Sequence, residues 1–386
     1  MKLELCEMVG VEFPLFAFSH CRDVVAAVSK AGGFGVFGGS TFTPEELKVE
    51  LDWIDAHVNG MPYGVDLAIP QRQGVSEENL TAQELMEHIP AEHYAFANEL
   101  LEQRGVNPVS STTFARHGTS TVTDGKGKAP YMPDTVEEMI EEVFRHPVRL
   151  VVNALGVPPK LMLERAQARG IPVGACIGSL GHARQQLAAG VDVLIAQGVE
   201  SAAHCGEIST SVLVTEVVEG IKDIRPVPVL AAGGIVTGRQ MAAAMTLGAQ
   251  GVWTGSVWLT TVESDVSPIV KERFFAASSR DTVRSRAITG KPARHLVNDW
   301  STAWDGPGSP GALPFPLQGL LSEAVQGQTL RSAEAGNSQA RSLLTEGVGQ
   351  GVGMLKSSKS ARTVVQEFME DYANALERMR LLSGSD

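Results

Sequence analysis

The chain has 386 residues, 43% of them hydrophobic, enough for a sizeable core in one large or two ordinary domains. Its formal net charge of −12 argues against nucleic acid or an anionic membrane as partner. No apolar run approaches the roughly 18 residues of a membrane span, and charges interrupt the N-terminal stretch MKLELCEMVGVEF, so it does not read as a signal peptide.

In chain order, short apolar runs predict strands over 15–18, 35–37 and 63–68, separated by helical patterns over 22–31 and 44–57. Residues 70–133 then break the rhythm, because they exceed any ordinary loop. They hold a helical pattern over 92–104 and a polar Gly/Ser/Thr-rich tract over 110–128. Two readings stand for this insertion: a lid over the mouth of the fold, or a surface embellishment. Further strands are predicted over 150–153, 173–177, 193–196, 229–232 and 252–254. Helical patterns over 135–144, 158–169, 181–189, 210–221 and 238–247 alternate with them. Several helices run into a glycine, such as Gly170, Gly190 and Gly248, which tolerates the left-handed conformation that stops a helix.

Eight strands alternating with helices predict a parallel α/β architecture, a TIM (β/α)8 barrel with a long insertion after strand three. Residues 300–316 read as loop, and 364–382 as an amphipathic helix on the barrel exterior. The expected division is a barrel over 1–305, insertion included, and a C-terminal extension over 306–386.

Two consecutive strand-to-helix turns carry the clearest chemistry. The run 227–232 ends at Gly233-Gly234, and the run 251–254 ends at Gly255-Ser256. Glycines let backbone N–H groups approach an anion, and a helix start favours negative charge. In a barrel, the loops after the last two strands are the usual phosphate site. A plain helix-start turn is the alternative at each glycine. After the sixth strand comes QGVESAAHCG, residues 197–206. A histidine there faces the reaction end of a barrel and suits proton abstraction from a carbon acid; a structural hydrogen bonder is the other reading of His204.

Other candidates weigh less. His204-Cys205 are sequence neighbours, which seldom point at each other as a nucleophile pair does. His20, at the end of the first strand, either lines the mouth or serves as a structural residue. The cluster Arg280, Arg284, Arg286, Lys291 and Arg294 fits a phosphorylated ligand or a solvated face. No metal spacing and no GxGxxG after the first strand is present. The four cysteines are scattered, and with no export signal they read as cytoplasmic thiols.

Taken together, these motifs resemble the nitronate monooxygenases, a family of FMN-dependent barrels. The family pattern Gln-Gly-x-Glu-Ala-Gly-Gly-His-x-Gly is matched by QGVESAAHCG, Pro-Val-x-Ala-Ala-Gly-Gly-Ile by PVLAAGGI at 228–235, and Gly-Ala-x-Gly-Val-x-x-Gly-Thr by GAQGVWTGS at 248–256. The segment 13–39 looks like the family's first βαβ unit, and ITGKPARHLVND (288–299) and PFPLQGLL (314–321) resemble its C-terminal motifs.

The resemblance implies FMN as cofactor and His204 as catalytic base. It implies a phosphate cradle of Gly233, Gly234, Gly255 and Ser256. Gln197 and Gly198 would lie against the flavin, Ala17 and Phe18 near its ring system, and Ser179 would offer a polar contact. Two departures touch the cofactor side. Ala202-Ala203 replace the family's Gly-Gly, which changes backbone clearance beside the phosphate, and Asp66 replaces the usual Asn at the end of the third strand. An ionised carboxylate there cannot donate to a flavin carbonyl, so Asp66 either binds a substrate group or is an ordinary mouth residue.

The implied reaction is oxidation of a nitronate, nitroalkane or similar carbon acid with O₂. The alternatives are an NAD(P)H-dependent enoyl or quinone reductase and a non-catalytic barrel that binds a phosphorylated ligand. The expected partners are a small-molecule substrate with O₂ or NAD(P)H, without nucleic acid or membrane.

Overall fold

The computed structural model describes residues 3–70, 80–113, 133–344 and 346–384. Most of the polar tract expected over 110–128 lies outside the described residues. A short helix α1 (Glu4–Val9) comes first. Strands β1 (Leu15–Ser19), β2 (Phe34–Gly38) and β3 (Tyr63–Leu67) then alternate with helices α2 (Arg22–Lys30) and α3 (Pro44–His57). Within the insertion lie α4 (Ala82–Glu87) and α5 (Ala91–Glu102), and α6 (Pro133–Val143) leads into β4 (Leu150–Asn153). The rhythm resumes with α7 (Lys160–Arg169), β5 (Val173–Ile177), α8 (Leu180–Ala189) and β6 (Val193–Gln197). A two-residue strand, β7 (Ala203–His204), precedes α9 (Thr210–Gly220), β8 (Val229–Ala232), α10 (Gly238–Thr246) and β9 (Gly251–Thr254).

The eight long strands, β1 to β6 with β8 and β9, close a parallel barrel. Closure runs through Leu15 opposite Val252 and Ala17 opposite Thr254. This is the predicted TIM barrel, and each of its strands coincides with a predicted one. Alternation along each strand sorts the side chains into two layers. Phe16, Phe34, Leu150, Val152 and Ile195 fill the interior, and Leu5 and Val9 of α1 pack onto that same cluster. Ala17, Ile177, Leu194 and Ala231 face outward onto the helices.

Beyond β9 the chain forms α11 (Pro268–Ala276), β10 (Thr282–Ser285), β11 (Ala293–Leu296), α12 (Asp299–Trp304), α13 (Leu317–Glu334) and α14 (Ala361–Ser383). The loop expected over 300–316 is therefore corrected at its start. Asn298 caps α12 in a reciprocal pair with Ser301, and Trp300 and Trp304 bury themselves. The density of Gly, Pro and Ser further on concealed this short helix. The amphipathic helix expected over 364–382 is present as α14, with Val364, Val365 and Phe368 in the outer barrel core.

A second hydrophobic core joins segments remote in sequence. Leu85, Met86, Ala97 and Leu101 of the insertion pack with Phe274, Trp300, Leu321 and Val325. The described part of the insertion is thus packed against the chain that follows the barrel.

Candidate active site

A cavity of about 380 Å³ opens at the C-terminal ends of the barrel strands. Its barrel side is made by Phe18, Asp66, Cys176, Gln197 and Trp253, each at or near the end of its strand. Its outer side is mostly apolar: Leu85 of α4 and Leu320 of α13 belong to the second core, and Phe315 and Pro316 lie just before α13. Phe18 and Trp253 stack with centroids 6.0 Å apart, and His20 meets Phe18 edge-on at 5.1 Å.

The two glycine turns reach the cavity together. Gly233 and Gly234 adopt φ of 116° and 70°, values that favour glycine. A Cβ at Gly233 would strike Thr210 Oγ1 at 2.6 Å, so that position is closed to other residues. At Gly255 a Cβ would meet nothing within 4 Å, although the residue lines the cavity. Ser256 Oγ accepts a hydrogen bond of 2.9 Å from the Gly349 backbone N–H. The Gln350 N–H in turn donates to the Glu200 carbonyl at 2.9 Å. The segment 347–353 is thereby tied to the Gly255-Ser256 turn and to the loop after β6, and Gly351 joins the cavity wall. Sequence reasoning missed this contribution; the alternating glycines of GVGQGVG were the available signal.

Of the other expected site residues, Phe18, Asp66, Gln197, Ala203 and His204 line the same cavity. Ala17, Ser179 and Gly198 are not among its lining residues. Strand alternation turns Ala17 outward into the helix layer. Ser179 caps α8 by accepting from the His182 N–H at 3.2 Å. Gly198 sits where a Cβ would collide with the Thr210 backbone at 2.4 Å. The lining residues Cys176, Trp253, Thr289 and Phe315 were not foreseen.

His204 is not on a free loop. As part of β7 it pairs antiparallel with Ala293 of β11, which in turn pairs with β10. Two members of the basic cluster secure this ribbon. Arg294 Nε donates to the Val199 carbonyl at 2.8 Å, and Arg284 Nε donates to the Cys205 carbonyl at 3.2 Å. His204 Nε2 shares a hydrogen bond of 2.8 Å with the Thr289 hydroxyl, which lies 3.2 Å from the Lys291 carbonyl oxygen and accepts from the Lys291 N–H at 3.3 Å. The hydrogen bond at Nε2 fixes the orientation of the ring. Burial, reinforced by the charge of Lys291, pushes the His204 imidazole down to about 4. His204 is therefore neutral at physiological pH. Burial pushes the Cys205 thiol up, away from a nucleophilic thiolate.

Asp66 is 3% exposed, and its Oδ1 has no hydrogen-bond partner. Burial pushes its carboxyl up to about 8, against a weaker opposing pull from the Ala154 backbone N–H. Among the described residues no group of three His, Cys, Asp or Glu could hold a metal ion, and no helix is long and apolar enough to cross a membrane.

The nitronate monooxygenase family model matches residues 5–371. The chain belongs to the nitronate monooxygenase family. It is 45% identical to a protein of Mycobacterium tuberculosis named as a monooxygenase, covering 98% of this chain and 99% of that one. It is 28% identical to a protein of Staphylococcus saprophyticus named as a nitronate monooxygenase, over 86% of this chain and 88% of the relative. Among solved structures, nitroalkane oxidase from Streptomyces ansochromogenes superposes with a TM-score of 0.75 at 25% identity, covering 97% and 99% of the two chains. FabK from Thermotoga maritima gives 0.69 at 25% identity, covering 98% and 99%.

Membership of the nitronate monooxygenase family makes the chain an oxidoreductase and gives the departures at the site a structural meaning. Ala203 stands where the family pattern has glycine, yet it keeps a left-handed φ of 54°. The backbone bend before His204 is thus retained with a residue that pays for it in strain.

Proposed function

We propose that this protein binds FMN in the cavity and oxidises a nitronate or similar carbon acid with O₂. The observation that supports this most directly is the meeting of a neutral histidine and two glycine turns in one cavity. FMN fits the residues present. Gly233, Gly234, Gly255 and Ser256 would hold its phosphate, and open space lies where a Gly255 side chain would be. The strand-end side chains of Phe18, Gln197 and Trp253 would lie against its ring system. When bound, FMN supplies the electron acceptor that water and side chains lack.

The chain's own residues do the rest. His204 offers its neutral imidazole to a proton on the substrate carbon, while Thr289 holds the ring through Nε2. Because its charged form is disfavoured by burial and by Lys291, the imidazole does not wait as a spent acid between turnovers. The apolar outer side formed by Leu85, Phe315 and Leu320 limits water at the reacting centre.

Two variants test the reading. His204→Asn should lower nitroalkane oxidation by roughly 10²-fold or more while the protein stays yellow. Gly255→Leu should keep the barrel folded, since its φ of −126° is outside the left-handed region and its Cβ meets no neighbour. It should purify with little flavin, as read by absorbance. Full turnover in the histidine variant would remove His204 from the chemistry. Undiminished FMN in the leucine variant would remove the phosphate from these turns. Aerobic assays with nitropropane nitronate against NAD(P)H oxidation with an enoyl thioester or quinone separate this reaction from a reductase.

A further inference from the structure

Among the described residues, Asp66 is the one acidic group on the barrel floor of the cavity, and the chemistry above leaves it unused. Its carboxyl enters from the end of β3, level with Gly38 of β2 and Val152 of β4. Against the cost of burial, the Ala154 backbone N–H is the weaker pull toward its charged form. None of the described residues lining the cavity is Lys or Arg. The titratable groups facing the same space are His20, Cys176, His204 and Glu323. His20 donates from Nδ1 to the Gly38 carbonyl at 2.8 Å, and burial holds its imidazole below the ordinary value, so it brings no charge. Cys176 of β5 is a thiol pushed well up by burial and further by Asp66 itself. Glu323, an acid, only opposes ionisation.

A buried carboxylate with an unpartnered oxygen and no cation is unfavourable, whereas a neutral carboxylic acid needs only an acceptor for its O–H. The barrel order places β3 across the mouth from β8, whose following turn carries Gly233 and Gly234. A ligand anchored by phosphate at those turns extends its far end toward Asp66.

We propose that Asp66 is held as a neutral carboxylic acid and donates its O–H to an acceptor atom on the ring system of the bound flavin. This rests on the FMN reading given above. Asp66 thus replaces the amide donor of the family pattern with a donor that can be titrated away. Alkaline pH, by removing that proton, sets a negative charge against the ring and alters its electronic state.

The test uses the flavin-loaded protein and two readouts independent of turnover. Bound-flavin absorbance is followed from about pH 5.5 to about pH 9.5, bracketing the shifted carboxyl value of about 8. The wild type should show a one-proton spectral change centred at or above that value. Asp66→Asn keeps a donor, should resemble the acid form of the wild type, and should show no change. Infrared difference spectra of the wild type should contain the carbonyl stretch of a protonated carboxylic acid that disappears over the same range and is absent from Asp66→Asn. A flat flavin titration in the wild type, a transition that survives in Asp66→Asn, or lack of the protonated-acid band each overturns the inference. A protein that refuses added FMN sinks the flavin reading itself, and this is seen before any titration begins. A protein that binds FMN without an Asp66-dependent change sinks only the present inference.

Discussion

His204 is oriented by one hydroxyl, and its pH behaviour is set by burial and by the nearby charge of Lys291. Thr289 holds the imidazole in place through a hydrogen bond of 2.8 Å at Nε2. A base works in its neutral form, and His204 is neutral above about 4 rather than above its ordinary 6.5. The acid limb of kcat/KM should therefore lie near pH 4, not pH 6.5. Lys291→Met removes a charge that lowers the histidine's pKa, so it should move that limb upward. An initial-rate profile on the neutral nitroalkane, whose carbon proton the base must remove, checks both statements for the two proteins. Ala203 invites a second change. Its left-handed φ of 54° costs an alanine about 1–2 kcal/mol, while glycine returns about 0.4–1 kcal/mol through the unfolded chain. Ala203→Gly should gain about 0.5–1 kcal/mol net, measured by denaturant unfolding. The strand ends and the glycine turns were legible in sequence because apolar runs stopping at Gly-Gly and Gly-Ser announce them. Asp66 was legible only as a departure; its protonation state depends on neighbours from β2, β4 and β5 that no local pattern brings together.

At the scale of elements, what could be read depended on whether a segment's pattern is set locally. The eight barrel strands are short apolar runs bounded by helix-stopping glycines, and all eight were readable. Strands β7, β10 and β11 were not, since Ala203-His204, Thr282–Ser285 and Ala293–Leu296 owe their extended form to pairing with one another. Helix α13 was hidden for a different reason. It buries Gln318, Ser322, Gln326 and Thr329 beside its apolar residues, which blurs the periodicity. Partners elsewhere make this tolerable: Gln318 Nε2 donates to the Ala287 carbonyl at 2.8 Å, and Gln326 Nε2 donates to the Leu343 carbonyl at 3.1 Å. The seat of α14 on α10 yields a prediction. A Cβ at Gly238 would lie 2.1 Å from the Phe368 carbonyl oxygen and 2.4 Å from the Tyr372 nitrogen, both backbone atoms that cannot swing aside. Gly238→Ala should therefore lift α14 from the barrel and cost about 1–3 kcal/mol. Thermal unfolding of this variant against a C-terminal truncation before residue 361 measures it. If the helix packing is as close as described, the two should destabilise through the same interface, and the alanine should add little to the truncated chain.

The whole molecule divides the work of the cavity between two cores. The barrel supplies the glycine turns and the strand-end residues Phe18, Asp66, Gln197 and Trp253. The second core supplies the apolar side through Leu85 and Leu320, and it joins segments more than about 150 residues apart in sequence. Arg104 of the insertion seals that assembly by donating to Asp299 from Nη2 at 2.6 Å and to Ser342 from Nε at 3.2 Å. Leu321 is fully buried in the second core but does not line the cavity. Truncating it to alanine removes packing worth about 2–5 kcal/mol without touching any group that would face flavin. Leu321→Ala should therefore leave flavin content per chain near that of the wild type while raising KM for the carbon-acid substrate severalfold, because the outer side of the cavity loosens. Flavin absorbance at a fixed protein concentration, read alongside steady-state kinetics and a thermal melt, separates the two effects. Loss of flavin in step with the loss of stability would mean that the barrel and the second core unfold as one unit, and that the cavity's two sides are not independent.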